Sequence, residues 1–201
     1  MALTFARFTP YDDREPDTLR RITCAMVADA SGDSAVRGRA TVTLFAIVSD
    51  IHANLEAFER VLEDIATKDV QDIFCLGDII GYGPNPRECL ELAQKYCRFS
   101  MIGNHEEAVM MIAEDFNDRA RQAVEWTRAQ LNDKGLAREQ RREYWNYLDK
   151  LQKMERLEKG RFMFVHGSPR VPTKEYIMPR DVHDPGKMKA VFEMIPQICF
   201  C

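Results

Sequence analysis

Apolar residues in this chain gather into short runs, separated by longer stretches in which they recur at helical spacing among charges. The first sustained run is Val42-Thr43-Leu44-Phe45-Ala46-Ile47-Val48, β-rich and uninterrupted, the pattern of a strand buried on both faces. After Ser49-Asp50-Ile51-His52 the period changes. Leu55, Phe58, Val61, Leu62 and Ile65 recur with Glu56, Glu59, Arg60, Glu63 and Asp64 between them, which predicts an amphipathic helix lying on a sheet. Ile73-Phe74-Cys75-Leu76 predicts a second strand running into Gly77-Asp78, and Pro86 marks a helix start ahead of Cys89, Leu90, Leu92 and Ala93. Phe99-Ser100-Met101-Ile102 predicts a third strand, running into Gly103-Asn104-His105-Glu106. Residues 108–158 read as helical and charged, with Trp126, Leu131, Trp145, Leu148 and Leu151 as candidate buried positions. A fourth strand, Arg161-Phe162-Met163-Phe164-Val165, ends at His166-Gly167-Ser168-Pro169. Strands alternating with helices predict an α/β domain with a largely parallel sheet.

Residues 1–40 show no sustained period, and Ala30-Ser31-Gly32-Asp33-Ser34 has linker composition. They read as a flexible N-terminal extension ahead of one domain over 41–201. At 201 residues, 45% hydrophobic and 30% charged, the chain can bury a sizeable core. A formal net charge of -4 leaves no basic footprint for nucleic acid or anionic lipid. No apolar run approaches membrane-spanning length, and the opening residues lack the apolar centre of a secretory signal. The six cysteines include no C-x-x-C pair, and Cys75 and Cys199 sit inside apolar runs, so a reducing, cytoplasmic setting is expected.

The candidate chemistry lies where the strands end. Asp50 and His52 stand at i and i+2, which in extended chain point to one side and can grip one ion together. A helix-capping Asp beside an incidental His is the plainer reading. Gly77-Asp78 offers two carboxylate oxygens ahead of the turn Gly81-Tyr82-Gly83-Pro84, and a glycine-rich turn with a capping Asp explains it equally well. In Gly103-Asn104-His105-Glu106 the Asn carbonyl can serve as an oxygen ligand, and His105 can donate a proton or stabilise charge. An N-cap Asn with Glu106 favourable near a helix dipole is the structural alternative. His166 beside Gly167 completes the set, although a lone His there is more often structural. Three of the four histidines fall in these clusters, while His183 lies in a turn-like stretch. Ligands of open α/β sheets bind just beyond the carboxyl ends of the strands, so residues distant in sequence can converge there.

In this order, Asp50-x-His52, Gly77-Asp78, Gly103-Asn104-His105-Glu106 and His166-Gly167 resemble the D-x-H, G-D, G-N-H-[DE] and H-G signatures of the calcineurin-like metallophosphoesterases. The likeness runs from about Thr41 to the end of the chain. The segment Ser49 to Glu56 and the Gly-Tyr-Gly-Pro turn look like the small bacterial phosphodiesterase branch, whereas the related protein phosphatases carry Asp-Arg-Gly at that turn. The resemblance implies two β-sheets packed face to face with helices outside, a four-layer αββα sandwich. It also implies two divalent ions: Asp50 and His52 on the first, Asp78 bridging, Asn104 and His166 on the second, with His105 near the phosphate. Imidazole and carboxylate ligands without thiolate suit Mn, Fe, Zn, Co or Ni alike. The implied activity is hydrolysis of a small phosphoester, mono- or diester, with nucleotides among the candidate substrates.

The family's G-H-x-H motif, which supplies one further imidazole to each ion, has no counterpart here. The chain ends in Gln197-Ile198-Cys199-Phe200-Cys201, which reads as the strand leading to it. A C-terminally truncated domain lacking part of its second sheet is therefore expected, with weakened metal affinity. A non-catalytic scaffold or binding protein on the same fold is the alternative function.

Overall fold

The computed structural model describes residues 2–8, 43–111 and 116–201. A first sheet has the order β1-β2-β3-β4, built from Ala2–Phe8, Thr43–Ser49, Val70–Cys75 and Phe99–Ser100. Strands β2, β3 and β4 run parallel, and β1 joins β2 antiparallel, from Ala2 opposite Ser49 to Phe8 opposite Thr43. A second sheet has the order β5-β6-β7, from Glu155–Leu157, Phe162–Phe164 and Ile198–Phe200. Strand β6 pairs antiparallel with β5 and parallel with β7.

The two-residue period of a strand sorts the core into two layers. Ala46, Val48, Ile73 and Cys75 face the helices, where they meet residues of α1 (Leu55–Ala66), α2 (Pro86–Tyr96), α4 (Asp118–Leu131) and α5 (Arg138–Asp149). Phe45, Ile47, Phe74 and Leu76 point the other way and pack with Phe162 and Phe164 of the second sheet. That inter-sheet layer is aromatic, with ring centroids 5.2 Å apart for Phe45–Phe74 and Phe74–Phe164 and 5.1 Å for Phe164–Phe200. A run apolar at every position thus becomes a strand with helices on one face and a second sheet on the other.

The four expected strands are present, and β7 forms at the expected C-terminal segment. Strand β5 lies in the stretch read as helical. Its three residues, Glu155-Arg156-Leu157, are too short and polar to register as a strand on pattern alone. Leu131 and Leu148 are fully buried as expected, but Trp126 is exposed. On α4 the inward face is Ala120, Val124, Thr127 and Leu131, at spacings of three and four, and Trp126 falls off that stripe. The N-terminus also differs from the flexible extension expected over 1–40. Residues 2–8 form β1, which covers the outer edge of β2 and satisfies its backbone groups, while residues 9–42 lie outside the described residues. Among the described residues, no helix is long and apolar enough to cross a membrane.

Candidate metal centre

Asp50 follows β2, Asp78 follows β3, Asn104 opens α3 (Asn104–Met110) after β4, and His166 follows β6. The parallel strands all point their carboxyl ends to the same side, so these loops meet. The first two loops are zipped together by continued backbone pairing. The His52 N–H donates to the Asp78 carbonyl at 2.8 Å, the Ala53 N–H to the Ile79 carbonyl at 2.8 Å, and the Gly83 N–H to the His52 carbonyl at 3.0 Å. This pairing holds three of the candidate residues in left-handed backbone geometry, with φ of 56° at Asp50, 50° at His52 and 51° at Asp78. For a residue with a Cβ such a conformation costs on the order of 1 kcal/mol. Strain of this kind persists where surrounding structure over-determines it, and it concentrates at functional sites.

All six expected site residues, Asp50, His52, Asp78, Asn104, His105 and His166, line one cavity of about 550 Å³. Asp78 is central and buried. His52 Nε2 lies 3.8 Å from Asp78 Oδ2 and 3.9 Å from Asp50 Oδ1. His166 Nε2 lies 3.5 Å from the same Asp78 Oδ2 and 3.0 Å from the Asn104 amide oxygen. The opposite nitrogen of each ring faces a backbone carbonyl: Nδ1 of His166 that of Leu76 at 3.1 Å, and Nδ1 of His52 that of Ile80 at 3.4 Å. A carbonyl only accepts, so in the neutral rings Nδ1 carries the hydrogen and Nε2 turns a lone pair toward the acid oxygens. The imidazole and carboxylate atoms of these side chains lie close enough to hold a cation between them.

His105 is buried and belongs to the same cluster. Its donor atom lies within 4.8 Å of those of His52 and Asp78. The ring packs edge-on against His52, Tyr82 and Phe116 at 4.9, 4.5 and 5.0 Å, and its Nδ1 is buried without a hydrogen-bond partner. Burial, then the neighbouring His52 and His166, lower its pKa to about 4, so the neutral ring prevails near pH 7. Burial also pushes the Asp78 carboxyl up to about 7, against the His105 N–H that donates to its Oδ1 at 3.0 Å. His52 is lowered by burial too, opposed by the Ile80 bond and by Asp50.

Two glycines leave the room that this packing needs. A Cβ on Gly103 would stand 2.1 Å from Asp78 Oδ1, and one on Gly81 would stand 2.2 Å from His105 Nδ1 with φ at 96°. Gly81→Ala is expected to lose about 2 kcal/mol of stability from strain at a left-handed position. Denaturant unfolding reads it, and an unchanged midpoint would mean that the turn does not hold residue 81 in this left-handed geometry.

The sequence profile described as calcineurin-like phosphoesterase matches residues 43–194, the span that carries every one of these donors. The chain belongs to the calcineurin-like phosphoesterase family. It is 36% identical over 147 residues to an uncharacterised protein of Methanocaldococcus jannaschii, covering 71% of this chain and 57% of that one. The crystal structure of a metallophosphoesterase from Sphaerobacter thermophilus is similar at 40% identity and a TM-score of 0.57, over 77% of this chain and 57% of that one. The chain thus spans little more than half the length of the relatives it matches.

One residue in the centre goes beyond its sequence reading. Glu106, fully buried, accepts from the N–H groups of Asp78 at 2.9 Å, Ile80 at 3.0 Å and Gly103 at 2.8 Å. The bond to Gly103 caps α3 one residue before Asn104, the N-cap that the sequence suggests. The other two tie α3 to the turn carrying Asp78. Burial and the charge of Asp78 push the Glu106 carboxyl upward, and the three N–H donors oppose that. Tyr82, from the Gly-Tyr-Gly-Pro turn, also lines the cavity, as do Phe116 and Tyr176, which no sequence pattern singled out.

Proposed function

We propose that this chain carries the catalytic centre of a metal-dependent phosphoester hydrolase with two adjacent metal positions that share Asp78. Asp50 and His52 would join Asp78 at one, and Asn104 and His166 at the other. The observation that carries this reading is the convergence of imidazole Nε2 atoms and acid oxygens around Asp78, with Nδ1 of each ring facing the carbonyl of Ile80 or Leu76. Hydrogen bonds on the far nitrogen of a ligating imidazole fix its orientation in just this way. The donor set, carboxylate, imidazole and amide oxygen without thiolate, fits divalent first-row metals. Such ions, when bound, polarise phosphate oxygens and bring a bound water toward ionisation near neutral pH.

The chain's own residues supply the rest. His105, neutral and in the wall of the same cavity, donates a hydrogen bond to charge that develops on a phosphoryl or leaving oxygen. Its low pKa favours this role over delivery of a proton as imidazolium. Phe116 and Tyr82 pack around that ring and hold its orientation.

The test is hydrolysis of an aryl phosphodiester and the matching monoester, with Mn²⁺ added or chelated. Chelator-sensitive turnover is expected, and the ratio of the two rates names the ester class. His105→Ala is expected to lower kcat about a hundredfold, with metal affinity by calorimetry unchanged. A matching fall in affinity would make His105 a ligand instead. Metal-loaded protein that turns over neither ester would rule the hydrolase reading out and leave a binding role on this fold.

A further inference from the structure

Two exposed tyrosines stand at the cavity that holds the donor cluster, Tyr82 at 57% and Tyr176 at 67% exposure. Neither is a stray surface aromatic. Tyr82 has φ of 62° between Gly81 and Gly83, a strained setting for a bulky residue, and its ring lies edge-on to His52 and His105 at 5.0 and 4.5 Å. Tyr176 sits on a braced loop after β6. The Glu175 carboxylate receives the Arg170 guanidinium at 2.7 and 3.1 Å and the Ser168 hydroxyl. One turn earlier, Thr173 donates to Glu107 of α3 at 3.0 Å, and Lys153 donates to the same carboxylate at 2.6 Å. The loop is therefore pinned to the helix that presents Asn104 and His105. Tyr176 lines the same cavity as Asp50, Asp78 and Tyr82, which puts it within reach of the centre.

At about 550 Å³ the cavity is of a size that encloses a whole small molecule, well beyond one phosphoryl group. We propose that Tyr82 and Tyr176 form a stacking wall for a planar ring attached to the phosphate, so that the centre selects esters of nucleosides over esters of small aliphatic alcohols. The proposal rests on the phosphoesterase reading and names the substrate class. A base stacks on an aromatic face with little regard to which base it is, so the wall gives a ring preference without base identity.

Two diesters with the same leaving group test it: thymidine 5′-(p-nitrophenyl phosphate) and methyl p-nitrophenyl phosphate. The kcat/KM ratio is expected to favour the nucleoside by about tenfold or more, the value of one stacking contact. Tyr176→Phe keeps the ratio and Tyr176→Ala brings it close to one. A wild-type ratio near one, or a ratio that Tyr176→Ala leaves intact, overturns the wall. If neither ester is hydrolysed, the phosphoesterase reading falls and binding decides the wall by itself. Adenosine 5′-monophosphate and ribose 5-phosphate are then titrated in Zn²⁺ and followed by saturation-transfer NMR. About tenfold tighter binding of the nucleotide, lost in Tyr176→Ala, supports the wall, and equal or absent binding of the two overturns it.

Discussion

Asp78→Asn is expected to abolish metal-dependent turnover while making the metal-free protein more stable. Both proposed metal positions share this carboxylate. Its Oδ2 lies 3.8 Å from His52 Nε2 and 3.5 Å from His166 Nε2, so neutralising it weakens both at once. Removing a single electrostatic stabiliser costs about 10²–10³ in rate, and here kcat/KM should fall beyond the upper end of that range. The substitution is otherwise benign. Asn tolerates the left-handed backbone at this position, and its amide oxygen can still accept the His105 N–H. Stability moves the other way because burial raises the Asp78 carboxyl from 3.8 to about 7. Between those values the unfolded chain has released a proton that the folded chain keeps. The unfolded state binds fewer protons, so stability falls as pH rises from about 4 toward 7. Asn has no proton to lose and removes this dependence. Urea unfolding in chelator at pH 4.5 and pH 7 reads it: the variant should gain on wild type at the higher pH, by on the order of 1 kcal/mol or more. Equal stability at both values, or metal affinity that survives the change, would show that Asp78 is not the buried shared ligand.

How legible this was from sequence varies with the kind of feature. Strands β2, β3, β4 and β6 were legible because each carries an apolar run, and the runs in β2 and β3 divide cleanly between the helix side and the inter-sheet side. The site residues were legible because each stands at the end of such a run, where parallel topology forces convergence. Other features leave no local pattern. Strand β1 depends on pairing with β2 more than thirty residues away, and β5 is a three-residue strand stabilised by its neighbour in the sheet. Tyr176 reaches the cavity through bonds from Thr173 to Glu107 and from Arg170 to Glu175, contacts made only in the folded chain. The left-handed backbone of Asp50, His52 and Asp78 is likewise a product of tertiary pairing. Aspartate and histidine are among the residues that tolerate that geometry best, so the choice of ligand type and the choice of backbone agree.

Glu106 shows most sharply how a local reading can be right and still incomplete, and its removal should have the largest effect on folding. In sequence it is an acid in the first turn of a helix, favourable near the dipole, and in the structure it also accepts the Gly103 N–H at the cap of α3. Its Oε2 also takes the Asp78 N–H and its Oε1 the Ile80 N–H, so one buried carboxylate closes the turn that presents the shared ligand onto the helix that presents Asn104 and His105. Glu106→Ala leaves three buried backbone donors without an acceptor. At about 1 kcal/mol or more for each unsatisfied group, the loss is about 3 kcal/mol at least. For a chain of this length that is a fall in Tm of roughly 6–12 °C. Glu106→Gln should be intermediate, because its amide keeps one oxygen for the paired N–H groups of Asp78 and Gly103 but turns an NH₂ toward the N–H of Ile80. Metal affinity should follow the same order, wild type above Gln above Ala, since the Asp78 turn and the start of α3 lose their common anchor. Thermal unfolding without metal, with calorimetric titration of Mn²⁺, checks both. An Ala variant within about 0.5 kcal/mol of wild type would mean that the backbone pairing of residues 50–53 with residues 77–79 fixes the turn unaided. Glu106 would then be only the first-turn acid that its place in the sequence suggests.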